Sequence, residues 1–218
     1  MRRLVLCLFA PLLTLMAWPS LAAAACAPER MVRIVTRVAT PPAEPGSFGA
    51  APKTLYRLGT KYGRVEELPN PATKLHLLIV VNEPDVWMVN RLDRTGRHIV
   101  DQGPTFNFRA AIFDKDGMPP ILRSLELGCE RAFLAANNAK PAGGAMFVSR
   151  RCELHTVTAA DFRVTICLGA GKKPMRASIY ERGTLLFDME YDSYEDELAP
   201  NLKLFERPAG IVFSEPAR

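Results

Sequence analysis

The sequence lacks the marks of several common protein classes. Beyond residue 25, the 218-residue chain has no uninterrupted apolar run of the roughly 18 residues that a membrane helix needs. It has no Cys-x-x-Cys pair, and its three histidines, His76, His98 and His155, are scattered. It also lacks a Gly-x-Ser-x-Gly elbow and a glycine-rich phosphate loop followed by a helix. We therefore predict no catalytic residue, no metal and no cofactor.

Long helices and strong charge are also scarce. Eighteen prolines and fourteen glycines divide the chain into short segments, which excludes coiled coils and helical bundles. The net charge is only +5, and it falls to +3 if the segment carrying Arg2 and Arg3 is removed. Beyond that segment the adjacent basic pairs are Arg150-Arg151 and Lys172-Lys173, and no aromatic residues alternate with them. Nucleic acid is therefore not an expected partner.

Residues 1–25 are typical of a secretory signal peptide. Two arginines precede an apolar stretch, Leu4–Leu15, and small residues, Ala22–Ala25, precede the expected cleavage point. The mature chain, residues 26–218, is then expected to be a single β-rich domain in the periplasm or outside the cell.

Cleavage directly before Cys26 is the alternative to cleavage after an Ala-x-Ala triplet. A mature chain that begins with cysteine resembles bacterial lipoproteins, whose first residue carries lipid. Those proteins usually carry leucine three positions before the cysteine, where Ala23 stands here. Membrane contact is expected only through a lipid on Cys26.

Four cysteines remain after processing: Cys26, Cys129, Cys152 and Cys167. An even number in a secreted chain predicts disulfides. Two β-rich segments, 146–157 and 162–168, flank the loop 158–161. If residues 158 and 161 close this hairpin, Cys152 lies directly opposite Cys167, close enough for a bridge. Cys129 then pairs with Cys26, or stays a buried thiol if Cys26 carries lipid.

The remaining pattern predicts an α+β fold that is mostly β, with one main helix on an antiparallel sheet. Apolar residues recur at three- and four-residue spacings over Pro120–Asn138, which predicts that helix and places Cys129 on its buried face. The segment 40–52 is a proline-rich loop, and residues 192–198 are expected to form a helical turn. The other expected strands are 32–38, 54–58, 61–67, 75–81, 86–89, 97–100, 106–108, 175–180, 185–191 and 210–214.

Two central strands are apolar on both faces. Segments 75–81 and 86–89 lack the in-out alternation of an antiparallel sheet with one wet face. Each face then needs a cover, which is either a second packed layer or an apolar cavity. The candidate cavity-lining residues are Leu77, Ile79, Val81, Val86, Trp87 and Met88.

An acidic series follows later in the chain. Asp188, Glu190 and Asp192 fall on one face of an expected strand, where carboxylates can bind calcium. The series lacks the glycine turn and ligand spacing of a calcium loop, so a solvated strand edge is the favoured interpretation.

The order of these elements resembles the periplasmic lipoprotein-carrier (Lol-like) half-barrel superfamily. The resemblance lies in segments 55–66, 75–81 and 86–89 and in the ending 202–210, which contains Phe205-Glu206-Arg207-Pro208-Ala209-Gly210. It is architectural and covers roughly residues 31–215. It implies a curved antiparallel sheet, a half-barrel, whose concave face is filled by helices.

The leading hypothesis is a non-enzymatic periplasmic protein with an apolar concavity that binds lipid or an acyl chain. The alternative is an envelope scaffold or protein-interaction module with a filled core, in which loop 40–52 contacts a protein partner. A hydrolase with an unrecognised site is the third hypothesis.

Overall fold

A computed structural model describes residues 26–40, 51–113 and 115–214. The predicted signal peptide, residues 1–25, and most of the predicted loop 40–52 lie outside the described residues. Across the described ranges, twelve strands form one open, curved, mixed sheet. The fold is therefore mostly β, as predicted.

Most strands are short, and the longest, β11, has 15 residues. Their bounds are β1 Met31–Thr40, β2 Lys53–Leu58, β3 Tyr62–Glu67, β4 Leu77–Asn82, β5 Asp85–Asn90, β6 Thr95–Val100, β7 Lys140–Phe147, β8 Arg150–Ala159, β9 Phe162–Leu168, β10 Pro174–Glu181, β11 Thr184–Leu198 and β12 Val212–Ser214. The helices are α1 Pro120–Arg123 and α2 Glu130–Ala136, with 3₁₀ turns at Ala170–Lys172 and Leu202–Phe205.

Two antiparallel meanders make up most of the sheet. Strands β2 to β6 form one meander and β7 to β11 form the other. Strand β1 lies between them and pairs with β2 on one side and with β11 on the other. Strand β12 adds to the β6 edge in the parallel direction.

Each face of the sheet has its own cover, over a different part. The connecting segment, residues 101–113 and 115–139, lies on what we call the helix face and packs α1 and α2 against β1, β2 and β8–β11. The 3₁₀ turn Leu202–Phe205 lies on the opposite side, the rear face, where Phe205 packs against β4 and β5. The two covers therefore leave different parts of the sheet open.

The predicted single helix Pro120–Asn138 is wrong. Gly128 interrupts it with a φ of +85°, a left-handed conformation that glycine adopts readily. Before that point Glu126 forms a β-bridge with Ala111. Cys129 caps the start of α2, where it is buried as predicted. Between α1 and α2 the chain is therefore not helical.

Three further predictions of secondary structure also need correction. Segment 146–157 is not one strand, because Val148 and Ser149 both have positive φ and turn the chain between β7 and β8. Residues 192–198 extend β11 instead of forming a helical turn. Residues 106–108 are irregular, and Phe108 packs against the sheet without pairing as a strand.

The predicted disulfide Cys152–Cys167 is confirmed, and of the two alternatives for Cys129 the structure has the disulfide Cys26–Cys129; the Cα separations are 5.5 and 6.0 Å. The predicted register was wrong by two residues. The hairpin closes at Ala159 and Phe162, so Cys167 lies opposite Leu154, and Cys152 reaches it diagonally on the same face. The two disulfides indicate an oxidising, extracytoplasmic environment.

The acidic series is not a solvated edge throughout. Asp188 is buried, accepts a hydrogen bond from Ser178 Oγ at 2.7 Å and is ion-paired with Arg176. Glu190 lies 2.6 Å from Arg37 Nη2. These carboxylates are neutralised by arginines on neighbouring strands.

Candidate functional site

Strands β4 and β5 are covered on the rear face. Leu78 and Val80 of β4 and Trp87 and Val89 of β5 are buried there, and they pack in one cluster with Phe205. Side chains alternate between the faces of a strand, so the intervening apolar residues point to the helix face. One half of the predicted two-sided burial is therefore a packed layer.

The helix face of the same strands carries an open apolar groove of about 650 Å³. Its apolar side chains are Leu77 and Ile79 of β4, Met88 of β5 and Val212 of β12. Met88 is 43% exposed and Val212 is 74% exposed. These side chains form a floor that no other described segment covers.

On the helix face, the part of the sheet that the connecting segment covers ends at Phe108. The ring lies against Gly63 of β3 so closely that a Cβ at Gly63 would be 2.4 Å from Phe108 Cε1. The backbone N–H of Phe108 donates to the carbonyl of Thr60 at 2.7 Å. Gly63 pairs with Val81 of β4. Phe108 therefore forms the boundary between the packed core and the open part of the face.

The six predicted lining residues divide between the two faces. Leu77, Ile79 and Met88 line the groove. Val81 and Val86 lie on the same face, farther along β4 and β5, and are directly paired. Trp87 lies on the rear face, where its ring stacks on His98 with centroids 5.5 Å apart. Trp87 therefore belongs to the packed layer and not to the groove.

The groove also has a polar margin toward the sheet edge. Its polar side chains are Asn90, Thr95, Arg97 and Ser214. Asn90 donates to the carbonyl of Lys74, and Thr95 donates to Asp93 Oδ1 at 2.7 Å. The groove thus combines an aliphatic floor with polar groups from β5, β6 and β12.

A buried ion cluster lies elsewhere on the helix face, and the sequence analysis missed it. Arg57 and Glu126 are both buried, with 2.8 Å between Arg57 Nη2 and Glu126 Oε2. Arg109 Nε donates to the other oxygen of Glu126 at 2.7 Å. The signal was present in β2, since Arg57 shares the alternation of the buried Leu55.

This cluster lies beside the first disulfide. A cavity of about 620 Å³ is lined by both half-cystines, Cys26 and Cys129, and by Glu126 and Arg109. The charges of the cluster are engaged with one another. The arrangement fastens the start of the described chain to the connecting segment.

A second buried carboxyl, Glu130 of α2, was also missed. Tyr191 and Tyr194 donate their hydroxyls to it at 2.9 and 3.2 Å, and the backbone N–H of Gly128 donates at 3.1 Å. Burial raises the pKa of Glu130. Burial, and next the nearby Glu130 charge, raise the pKa of both tyrosines. The triad joins α2 to β11.

Three residues of the two basic pairs of the sequence lie around one cavity. Arg150, Arg151 and Lys173 line a cavity of about 390 Å³, together with Asp192. Lys173 is ion-paired with Asp196 at 3.1 Å. Charges of both signs therefore surround this cavity.

Within the described ranges, 26–40, 51–113 and 115–214, no group of three His, Cys, Asp or Glu side chains is arranged to hold a metal ion. No helix within those ranges is long and apolar enough to cross a membrane.

No family model and no curated protein matches the chain. Among solved structures, it is similar to an uncharacterized conserved protein from Thermus thermophilus, with a TM-score of 0.47 and 11% identity over 86% of this chain and 91% of that one. It is also similar to two crystal structures of PNGF-II, with TM-scores of 0.34 and 0.30 and identities of 8% and 9%. Each match covers 86% of this chain, and 32% and 31% of PNGF-II. The chain spans about a third of PNGF-II, and no function follows from these likenesses.

Proposed function

We propose that this protein is a non-enzymatic periplasmic binding protein that holds an acyl chain in the groove on its helix face. The observation that carries this proposal is the uncovered apolar part of that face at Leu77, Ile79 and Met88, beyond the buried Val81. The rear face of β4 and β5 is packed against Phe205, whereas Leu77, Ile79 and Met88 line open space. Soluble proteins rarely leave an apolar patch of this kind exposed without a ligand or partner.

The size and chemistry of the groove suit a hydrophobic ligand. Its volume of about 650 Å³ falls within the range of small-molecule sites in proteins. The apolar side chains that line the groove are aliphatic groups and one thioether. The thioether side chain, that of Met88, is flexible enough to adapt to a chain of methylene groups. Binding of a flexible acyl chain is favourable because it removes this apolar surface from water.

We further propose that the curved sheet acts as a half-barrel of the lipoprotein-carrier kind, with the groove as its concavity. Phe108 would then bound the concavity on the inner side. The disulfides support an extracytoplasmic setting, where such a carrier would meet lipid.

Native mass spectrometry of protein purified from its own host tests the proposal directly. We expect a bound mass that organic extraction removes, and saturable binding of a fluorescent fatty acid by the extracted protein. A protein that is consistently empty and ignores the fluorescent fatty acid would overturn the proposal.

A charged substitution in the groove locates the site. Met88→Glu places a carboxylate on the apolar floor and should weaken binding of the fluorescent fatty acid about tenfold or more, because a charge is costly to cover with hydrocarbon. Met146→Glu is the matched control, since Met146 is 68% exposed on β7 at the opposite edge of the sheet. Equal binding by both variants would place the ligand elsewhere.

A further inference from the structure

Among the described residues, one charged side chain lines the groove, that of Arg97 of β6. Arg97 pairs with Met88 on its inner side and with Ser214 of β12 on its outer side. Its backbone therefore lies between the apolar floor and the edge of the sheet. A long side chain at that point can lay its methylene groups along the floor and present its guanidinium group at the groove margin.

The other polar side chains of the groove already have partners. Asn90 donates to Lys74 O and to Asp93 Oδ2, both at 3.0 Å. Thr95 Oγ1 donates to Asp93 Oδ1, and Ser214 Oγ donates to the carbonyl of Gly96 at 3.4 Å. Among the described residues, Arg97 has no hydrogen bond or ion pair within the protein. Its five N–H donors are free for a ligand.

The carboxylates nearest in sequence do not neutralise Arg97. Asp93, at the turn between β5 and β6, is bound by Thr95 and Asn90. Asp85 pairs with His98 at 2.7 Å, and His98 is on the rear face with Trp87. The groove therefore combines an aliphatic floor with one unneutralised cation.

We propose that the ligand is an anionic single-chain amphiphile, a fatty acid, whose carboxylate binds the Arg97 guanidinium. This inference rests on the proposed function and names the head group that the same groove selects. The carboxylate accepts hydrogen bonds from Arg97 at the sheet edge, where solvent reaches it. The chain runs inward across β5 and β4 toward Phe108, which is three strand spacings or about 14 Å from β6.

The geometry gives Arg97 a role in specificity. The apolar floor binds the chains of a fatty acid and of the matching fatty alcohol equally well. The charge-assisted bond to Arg97 is available only to the acid, and such bonds are roughly twice as strong as neutral ones. A preference for acid over alcohol is therefore the signature of this residue.

The test compares dodecanoic acid with dodecanol as competitors of a fluorescent fatty acid, at pH 8 and low salt. We expect the wild-type protein to prefer the acid about tenfold. Arg97→Gln should remove this preference, because it weakens binding of the acid and leaves binding of the alcohol unchanged. Arg97→Lys should keep part of the preference. Arg94→Gln is the matched control, because Arg94 is an exposed arginine at the same strand end that does not line the groove.

The outcomes separate the two proposals. If both competitors bind equally to the wild type, or if Arg97→Gln keeps the full preference, the head-group assignment is wrong and the acyl groove stands. If neither competitor displaces the probe, or if no probe binds to a protein with a native circular dichroism spectrum, the acyl groove itself is wrong.

Discussion

Arg57 donates from Nη1 to the Sγ of Cys129, 3.5 Å away. The same guanidinium donates from Nη2 to the backbone carbonyl of Cys26 at 2.8 Å, so one buried arginine contacts both ends of a disulfide. Nη1 also donates to the carbonyl of Leu127 at 3.1 Å. Arg57 thus joins strand β2, the start of the described chain and the connecting segment.

Removing Arg57 should therefore be costly. Arg57→Met leaves the Glu126 carboxylate buried with only Arg109 as a cationic partner, and we expect a loss of about 3–5 kcal/mol in the free energy of unfolding. The measurement is urea denaturation at pH 7. Arg33→Met is the control, because Arg33 pairs with Glu195 at a partly exposed site and should lose about 1 kcal/mol or less. Equal losses in the two variants would contradict the prediction.

The second prediction concerns pH and Glu130. Its pKa is raised in the folded state, so between the ordinary carboxyl value of 4.5 and the folded value the native protein holds a proton that the unfolded chain releases. The contribution of Glu130 to stability is therefore complete below pH 4.5 and is lost as the pH rises through its folded pKa. Glu130→Gln mimics the protonated acid and does not titrate.

The expected result is a difference between two pH profiles. Urea denaturation from pH 4 to pH 9 should show wild type and Glu130→Gln diverging as the pH rises, with the variant gaining relative to the wild type. Glu206→Gln changes an exposed carboxyl and should run parallel to the wild type. A constant difference between wild type and Glu130→Gln across this range would show that Glu130 does not titrate differently on unfolding.

The third prediction concerns the disulfides. Closing a loop of about 100 residues restricts the unfolded chain by about 4.7 kcal/mol, and closing one of about 15 residues by about 3 kcal/mol. The half-cystines are separated by 103 residues in Cys26–Cys129 and by 15 in Cys152–Cys167. Replacing Cys26 and Cys129 with serine should therefore destabilise the protein more than replacing Cys152 and Cys167, as measured by urea denaturation.

Peptide mapping without reduction checks the pairing itself. We expect one peptide pair containing residues 26 and 129 and another containing residues 152 and 167. A diacylglycerol on Cys26, or Cys152 bonded to another partner, would contradict the pairing on which the stability comparison rests.

Local pattern was enough to predict most strands and to show that β4 and β5 carry apolar residues on both faces. Alternation, turn residues and β-branched content are properties of neighbouring residues, and they carry over into the sheet. The Cys152–Cys167 bridge was also predictable. A register error of two residues keeps both side chains on the same face, so the bridge was found although the register was wrong.

The failures lie where distant residues decide the local conformation. Residues 120–138 have helical periodicity, yet Cys129 must reach Cys26 and Glu126 must reach Arg57, and both partners are far away in the chain. The same is true of the groove. The pattern of β4 and β5 shows that both faces need a cover, but only the tertiary structure shows that Phe205 covers one face and that the connecting segment stops at Phe108.

The central position of β1 has a consequence for the order of folding. Its residues leave the ribosome early, but Arg33 pairs with Glu195, so the two meanders are joined in one sheet only after almost the whole chain has been synthesised. Contacts this distant in sequence slow folding and delay closure of the sheet.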